Sequence, residues 1–251
     1  MTKAVITGAG QGLGRAISNR LKRDGWSIIA VDKNEETLAR TAEETGGHAI
    51  VCDVSDHASV MAMGEEVVAQ GDIGALVNNA GIWRYSGVLG ITPEDGRDVL
   101  VTNLMGTIWC TQAVIPAMQG GGAIVNFSSV ASLMSASSVG IYPASKAAIE
   151  TVTRMTALEF GSAGIRANTV APGMIVTEST EANYQGEMRD IRASMIPMRR
   201  VGEPGDIADV VSFLVSNDSR YVSGQLIAVD GAMSAGQIGT APIASGPGKV
   251  G

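Results

Sequence analysis

A tyrosine and a lysine four positions apart are the first residues that could carry chemistry. Tyr142 and Lys146 open a long apolar stretch in which Pro143 takes a first-turn position, so both are expected on one helix face. An ammonium beside a phenol lowers the pKa of the tyrosine, which predicts proton exchange with a substrate hydroxyl near neutral pH. Taken alone, the pair is more often a solvated helix pair. However, Ser129 follows an apolar run 13 residues upstream of Tyr142, where open α/β sheets place ligands.

A glycine-rich turn directly after the first apolar run predicts a dinucleotide site. Residues 7–14, TGAGQGLG, fit the pattern TGxxxGxG and do not fit GxGxxG. A pyrophosphate needs bare backbone N–H groups at a helix N-terminus and no Cβ where its oxygens approach. A tight strand-to-helix turn without a ligand has the same signature. The residues expected to contact the cofactor here are Gly8, Gln11, Gly12, Leu13 and Gly14.

Asp32 ends the second apolar run, about 20 residues after the glycines, and favours NAD over NADP. A carboxylate there can accept hydrogen bonds from both hydroxyls of the adenosine ribose and would repel a 2′-phosphate. Lys33 argues the other way, but a flexible exposed ammonium should count for less. Asp32 could instead serve only as the N-cap of a helix that starts near Asn34.

The elements that must position these residues alternate along the chain. Strand-like runs are expected at 4–7, 27–31, 49–52, 75–78, 123–127, 166–170 and 226–229. Helical spacing is found at 13–23, 35–45, 58–69, 93–118, 143–160, 181–195 and 204–215. Runs that are apolar on both faces and joined by helices predict one doubly wound α/β domain, a Rossmann-type parallel sheet of about seven strands with helices on both faces. This domain is expected to cover residues 1–234, and the Gly/Pro-rich residues 235–251 to form a mobile tail or an arm on a neighbouring subunit.

Composition excludes several other classes. The formal charge is −7 and aromatic residues make up 4% of the chain, so a nucleic-acid partner is not expected. No apolar run was found to approach the roughly 20 residues that span a bilayer, so no membrane partner is expected. Cys52 and Cys110 lack CxxC spacing and indicate buried thiols in a reducing compartment, the cytoplasm. His48 and His57 are too few for a metal site, and none is proposed.

With these motifs in place, the sequence resembles the short-chain dehydrogenase/reductase family over nearly all of its length up to about residue 234. The resemblance rests on eight matches in the family's order and spacing. They are TGAGQGLG at 7–14, Asp53-Val54, NNAG at 78–81, Asn103, VNFSS at 125–129, YPASK at 142–146, the segment from Asn168 through Pro172-Gly173 to Thr177, and Val229-Asp230-Gly231.

The resemblance implies an enzyme with a catalytic tetrad of Asn103, Ser129, Tyr142 and Lys146. Ser129 would hydrogen-bond the reacting oxygen, Tyr142 would give or take its proton, and Lys146 would also hold the nicotinamide ribose. Asn103 would bind a water that links Lys146 to solvent. Gln11 stands where NADP-using relatives usually carry Arg or Lys, which agrees with NAD. Further cofactor contacts are implied for Asp53, Val54, Asn79, Ala80, Gly81, Tyr142, Lys146, Pro172, Gly173, Ile175 and Thr177.

Segments that follow the strand ends are expected to select the substrate. The candidate residues are Trp83, Val130, Ala131, Met174, Tyr184 and Met188. Because they are mostly apolar, we expect a small or medium, largely apolar secondary alcohol or ketone. A basic cluster at Arg189, Arg192, Arg199 and Arg200 leaves open a reductase of 3-oxoacyl groups on an acidic carrier protein. A catalytically silent NAD-binding regulatory or scaffold protein is a third alternative. Apolar residues on several faces of the long helices, together with the resemblance, suggest a homotetramer.

Overall fold

The sheet contains seven parallel strands and confirms the predicted architecture. The computed structural model describes residues 2–135 and 137–236. The strands are β1 (Lys3–Thr7), β2 (Ser27–Asp32), β3 (His48–Val51), β4 (Ile73–Asn78), β5 (Gly122–Phe127), β6 (Ile165–Pro172) and β7 (Leu226–Val229). Their order across the sheet is β3-β2-β1-β4-β5-β6-β7. The order reverses between β1 and β4, so a crevice opens at the carboxyl ends of these two strands.

Helices cover both faces of this sheet. They are α1 (Gly12–Arg23), α2 (Glu35–Thr45), α3 (His57–Ala69), α4 (Pro93–Leu100), α5 (Gly106–Val114), α6 (Val130–Met134), α7 (Tyr142–Phe160), α8 (Glu187–Ser194) and α9 (Pro204–Val215). Within β1, Ile6 packs with α1, α2 and α9, while Val5 packs with α3 and α5 on the opposite face. Each central strand is therefore apolar on both sides, which is the pattern that the sequence displays.

Three elements differ from the predicted bounds. The helix expected over 93–118 is interrupted by a π-helical segment, Val101–Met105, between α4 and α5. The helical stretch expected over 181–195 is broken at Gly186, whose φ is +55°, into a 3₁₀ helix, Glu181–Tyr184, and α8. The short helix α6 follows Ser129 and was not predicted. Each difference is a local change in backbone bonding that hydrophobic periodicity does not report.

One helix among the described residues, Pro93–Ala117, is long and apolar enough to cross a membrane by length and composition. This finding corrects the expectation that no stretch reaches that length. The core helix of a soluble protein passes the same test, and Cys110 and Val114 of this helix lie in the core beside Val60 and Met63 of α3. Of the predicted tail, only Ala235 and Gly236 belong to the described residues, and residues 237–251 lie outside them.

Candidate active site

A cavity of about 680 Å³ opens at the carboxyl ends of β1, β2, β4, β5 and β6. The predicted site residues that line it are Gly8, Gln11, Gly12, Leu13, Asp32, Asp53, Val54, Asn79, Ala80, Gly81, Trp83, Ser129, Tyr142, Lys146, Pro172, Gly173, Ile175, Thr177 and Tyr184. The predicted residues that do not line it are Gly14, Asn103, Val130, Ala131, Met174 and Met188. The glycine turn and the Ser–Tyr–Lys set therefore share one cleft.

The glycine turn leaves no room for side chains. Gly8 has a φ of +65°, and a Cβ there would lie 2.9 Å from the Cα of Ala80. A Cβ on Gly14 would lie 2.0 Å from the carbonyl oxygen of Gly8, so Gly14 serves close packing of α1 against the turn although it does not face the cavity. The side-chain amide of Asn79 donates to the carbonyl oxygens of Thr7 and Gly8 at 3.0 and 3.1 Å. The backbone at the start of α1 is therefore bare and fixed in place.

An internal carboxylate shows that this helix terminus binds anions. Glu178, in the loop after β6, accepts a hydrogen bond from the backbone N–H of Gly12 at 2.9 Å. The same carboxylate forms an ion pair with Arg15 in the first turn of α1. The N-terminus of a helix carries partial positive charge and unpaired N–H groups, which suit a carboxylate or a phosphate equally. The turn therefore fits the pyrophosphate of a dinucleotide, with Glu178 standing in for it.

Asp32 is oriented by two backbone N–H groups. Its Oδ2 accepts from Gly10 at 2.9 Å and its Oδ1 from Asn34 at 3.0 Å. A Cβ on Gly10 would lie 3.0 Å from Asp32 Oδ2, so the glycine allows this close approach. Asn34, whose Oδ1 accepts from the N–H of Thr37 at 3.0 Å, is the N-cap of α2. Asp32 is therefore not the helix cap, and its carboxylate lines the cavity beside Gln11.

Asp53 and Lys33 face each other across the same end of the cavity. The Nζ of Lys33 lies 3.8 Å from Oδ2 of Asp53. Burial alone would raise the pKa of Asp53, but hydrogen bonds from the hydroxyl and backbone N–H of Ser55 and the charge of Lys33 hold it below its usual value. Asp53 is therefore an ionised acceptor. Lys33, the residue that argued for NADP, already has a carboxylate partner.

Tyr142 and Lys146 lie one turn apart at the start of α7 and both line the cavity. Lys146 is 4% exposed, and its Nζ donates to the carbonyl oxygen of Phe127, the last residue of β5, at 2.8 Å. Its Nζ lies 5.6 Å from the centroid of the Tyr142 ring. Ser129, two residues after β5, is the N-cap of α6, and its Oγ accepts from the N–H of Ala131 at 3.2 Å. Strand β5 and helix α7 therefore bring the three side chains together.

Burial is the main cause of the pKa shifts of Lys146 and Tyr142. It lowers the pKa of Lys146 to about 8, and no other cause contributes. It raises the pKa of Tyr142, and a hydrogen bond with Ser129 opposes that shift. The expectation that Lys146 holds the pKa of Tyr142 below its usual value is therefore wrong for this structure. The ammonium is turned to the carbonyl of Phe127, and desolvation of the phenolate outweighs the pairing that the spacing suggested.

Asn103 lies in the π-helical segment and is completely buried. Its Oδ1 accepts from the N–H of Ile82 at 2.8 Å, and its Nδ2 donates to the carbonyl of Ile82 at 2.9 Å and to Ser145 Oγ at 3.1 Å. A Cβ on Gly81 would lie 3.2 Å from Asn103 Oδ1 and 3.4 Å from Lys146 Nζ. Asn103 therefore lies directly behind the site and braces the loop after β4, and its expected water-binding role stays a prediction.

The end of the cavity expected to hold the substrate is lined by Trp83 and Tyr184. Four other candidates lie elsewhere, for different reasons. Val130 is turned into the core at the start of α6, and Ala131 follows it along that helix. Met174 packs against the small cluster around Tyr184, and Met188 is 47% exposed on α8. Two of the six predicted substrate residues therefore line the cavity.

Several lining residues were not predicted from the sequence as site residues. They are Lys33, Cys52, Ile82, Arg84, Thr102, Phe127, Ser128, Ser179 and Thr180. Most of them are next to a predicted motif in the sequence, so extending each motif by one or two residues would have included them. Arg84 lies 3.4 Å from Asp95 and 3.8 Å from Asp98, so two carboxylates face its charge. No group of three or more metal-ligating side chains is found within residues 2–135 and 137–236.

Comparison with known proteins gives the same class as the site. Residues 8–234 match the family described as enoyl-(acyl carrier protein) reductase. Over 243 residues the chain is 38% identical to the 3-oxoacyl-acyl-carrier-protein reductase FabG of Staphylococcus aureus strain Mu50, covering 93% of this chain and 98% of that protein. It is 39% identical over 246 residues to the 2-(R)-hydroxypropyl-CoM dehydrogenase of Xanthobacter autotrophicus, covering 92% and 98%.

A solved structure extends the likeness to the fold. A short-chain type dehydrogenase/reductase from Mycobacterium ulcerans matches with a TM-score of 0.89 and 27% identity, covering 94% of this chain and 90% of that one. The fold and the site thus define an oxidoreductase with a Rossmann-type sheet and a nicotinamide cofactor. The chain belongs to the short-chain dehydrogenase/reductase family.

The buried ammonium predicts a pH-dependent stability. A lysine whose pKa falls from 10.5 to about 8 on folding costs about 3 kcal/mol at neutral pH, and this cost is removed as the pH rises from 8 to 10.5, because the unfolded chain binds the extra proton in that range. The variant Lys146→Met lacks the charge but also loses the hydrogen bond to Phe127. We expect it to be about 1–3 kcal/mol more stable than wild type at about pH 7.

Urea unfolding at about pH 7 and about pH 10 measures this effect. The stability advantage of Lys146→Met should shrink at the higher pH, because only the wild type gains there. Lys22→Met, which removes an exposed lysine of α1, serves as the control. A difference between wild type and Lys146→Met that stays constant with pH would contradict the assignment of a desolvated ammonium.

Proposed function

We propose that the protein transfers a hydride between NAD and a small or medium, largely apolar secondary alcohol or ketone. The observation that carries this proposal is the shared cavity, in which Ser129, Tyr142 and Lys146 line one part and the bare glycine turn lines another. NAD would lie between them, with its pyrophosphate at the N-terminus of α1, where Glu178 now contacts Gly12. When bound, its nicotinamide supplies the carbon that accepts or donates the hydride.

The roles of the three side chains follow from their surroundings. Ser129 Oγ accepts from the N–H of Ala131, which leaves its one proton for the Tyr142 oxygen or, when a substrate is bound, for the reacting oxygen. Tyr142 takes the proton from an alcohol, or returns it to the developing alkoxide in the reverse direction. Lys146, with a pKa of about 8, is poised to supply positive charge beside Tyr142 and to hold the nicotinamide ribose. The protein thereby orients the reactants and stabilises charge.

Three features support NAD as the dinucleotide. Asp32 lines the cavity with its carboxylate oriented by backbone N–H groups, where it can accept from ribose hydroxyls and repel a 2′-phosphate. Lys33 lies beside Asp53, whose charge offsets it. Gln11 supplies no positive charge for a phosphate. Contacts to the adenine and to the nicotinamide are proposed for Asp53 and for the loop from Pro172 to Thr177.

A reductase of 3-oxoacyl groups on a carrier protein is the second candidate. It is favoured by the activity of the Staphylococcus relative, a 3-oxoacyl-acyl-carrier-protein reductase, and by the predicted basic cluster. Arg200 is held by two hydrogen bonds of 2.7 Å to Asp206, and Arg192 lies over the Tyr184 ring. Because these two arginines already have partners, the cluster offers less free charge to an acidic carrier than its sequence suggested. We therefore favour a small alcohol or ketone over a carrier-bound 3-oxoacyl group as the substrate.

We also propose a homotetramer that works in the cytoplasm. Met155 and Leu158 on α7 are 51% and 84% exposed, and a second copy of the chain is the expected cover for this apolar face. The mass in solution, measured by size-exclusion chromatography with light scattering, tests the assembly. The two buried thiols, Cys52 and Cys110, agree with a reducing compartment.

The variant Tyr142→Phe tests the proton-transfer role. It should reduce turnover of secondary alcohols with NAD by about 10²–10⁴, because the ring remains and only the proton donor is lost. Its affinity for NADH should stay within a few-fold of wild type. Turnover is measured by absorbance at 340 nm and affinity by NADH fluorescence. Tyr221→Phe, at an exposed tyrosine, should keep the wild-type rate.

Two results would point elsewhere. Retained activity in Tyr142→Phe would remove this residue as the acid/base group. If wild-type protein binds NADH but turns over no alcohol or ketone in a broad panel, the silent regulatory or scaffold protein becomes the better interpretation.

The variants Asp32→Ala and Asp32→Ser test the choice of dinucleotide. Loss of the hydrogen bonds to the ribose and of the repelling charge should lower the preference for NAD over NADP by about tenfold or more in kcat/KM. Glu35→Ala, which removes a nearby exposed carboxylate of α2, should leave the preference unchanged. A wild-type protein that already prefers NADP would show that the assignment of NAD is wrong.

A further inference from the structure

A carboxylate outside the cavity joins the serine loop to the catalytic helix. Glu150 lies on α7, one turn after Lys146. Its Oε1 accepts hydrogen bonds from Ser128 Oγ at 2.7 Å and from Ser132 Oγ at 2.6 Å. Ser128 directly precedes Ser129, and Ser132 lies on α6 just after it. Glu150 does not line the cavity, so it cannot touch a substrate there.

The two hydroxyl groups have more acceptors than protons. Besides Glu150, Ser128 Oγ lies 3.2 Å from the carbonyl oxygen of Lys146, and Ser132 Oγ lies 2.6 Å from that of Ser129. The two hydroxyls also lie 3.0 Å from each other, so their two protons can be donated to Glu150, to either carbonyl oxygen or from one serine to the other. An ionised carboxylate makes the stronger, charge-assisted bonds. Glu150 is therefore the charged acceptor that both hydroxyls share.

The turn that these hydroxyls hold is the one that carries Ser129. The N–H of Ser132 donates to the carbonyl of Ser129 at 3.0 Å, while Ser129 Oγ accepts from Ala131 at 3.2 Å. The position of Ser129 thus depends on a short turn of α6. Glu150, on α7, accepts hydrogen bonds on both sides of Ser129, from Ser128 before it and from Ser132 after it.

A direct electrostatic effect of Glu150 on Lys146 is not what the structure indicates. The ammonium of Lys146 is turned to the carbonyl of Phe127 at 2.8 Å. Burial is the single cause of its lowered pKa, with no contribution from a carboxylate. Any effect of Glu150 on the chemistry must therefore pass through the serine loop.

We propose that Glu150 is a positioning residue, whose bonds to Ser128 and Ser132 hold the Ser129 hydroxyl against Tyr142. This inference rests on the proposed function for its effect on turnover, but its effect on Tyr142 does not. Because Ser129 is the hydrogen-bond partner that lowers the pKa of Tyr142, a displaced Ser129 must raise the titration midpoint of that tyrosine.

Kinetics of five variants test the proposal. Glu150→Ala should lower kcat for secondary alcohols about tenfold, the effect expected for one lost or misplaced hydrogen bond, with KM for NAD within about twofold. Glu150→Gln should keep most of the activity, since its amide oxygen can accept both hydroxyls. In a Ser129→Ala background, adding Glu150→Ala should cause no further loss. Glu159→Ala, an exposed carboxylate on the same helix, should match wild type.

A second measurement does not need turnover. The phenolate absorbance of Tyr142 is isolated by subtracting the titration of Tyr142→Phe from that of each protein. The midpoint should rise in Glu150→Ala and in Ser129→Ala, and should stay at the wild-type value in Glu150→Gln. If Glu150→Ala does not fold, Ser132→Ala removes one of the two bonds and should shift the midpoint in the same direction.

The outcomes separate the two proposals. A wild-type protein without turnover but with a raised midpoint in Glu150→Ala would overturn the proposed function and support the positioning role. Additive losses in the double variant, equal losses in Glu150→Gln and Glu150→Ala, or an unchanged midpoint in Glu150→Ala would each overturn the positioning role.

Discussion

The site depends on one buried cation that has a single protein acceptor. The ammonium of Lys146 is 4% exposed and donates to the carbonyl of Phe127. Removing an ammonium from water is costly, and a lone backbone carbonyl offsets only part of that cost. The compensation that remains is expected from acceptors that a ligand brings into the cavity, such as ribose hydroxyls. The same desolvation that weakens the fold therefore makes the site favour a ligand that brings acceptors.

The opposite end of the cavity has the complementary electrostatics. The N-terminus of α1 offers N–H groups and partial positive charge, and the protein satisfies them with its own Glu178. A pyrophosphate at this terminus would compete with that carboxylate, because both use the N–H of Gly12. A pyrophosphate bound there would therefore have to displace the carboxylate of Glu178 from this N–H group. Arg15 forms an ion pair with Glu178, and its position would also allow an ion pair with a bound pyrophosphate.

Sequence reasoning predicted the features that depend on local pattern. The seven strands were found because each is short, apolar on both faces and followed by a turn, and the glycine turn because Gly8 and Gly14 permit approaches that a Cβ would block. The π-helical segment around Asn103 was not predicted, since apolar residues lie on several faces of this stretch and a single π turn leaves no distinct pattern among them. The contact between Glu178 and Gly12 was missed because it joins residues 166 positions apart.

The error over Tyr142 has a different origin. A spacing of four residues shows that Tyr142 and Lys146 share a helix face, but it does not show which way the ammonium turns or how much water reaches the phenol. In the structure burial raises the pKa of the phenol, and the ammonium points to Phe127. How far burial raises the pKa of the phenol, compared with how far a nearby ammonium lowers it, depends on the packing of the cavity. Residue spacing along the chain does not show it.

Polar contacts under the site fix the register of α7 on the sheet. The side chain of Asn126 on β5 donates to Thr153 Oγ1 at 2.9 Å and accepts from Asn78 on β4 at 2.9 Å, all in the buried core. Apolar side chains alone tolerate small shifts of a helix, whereas a buried amide left without its partner costs about 1–3 kcal/mol. A shift of α7 along the sheet would break this chain and the bond from Lys146 to Phe127 together. The polar core therefore holds the helix that carries Tyr142 in register with the strand that precedes Ser129, which is the alignment that the proposed proton transfer requires.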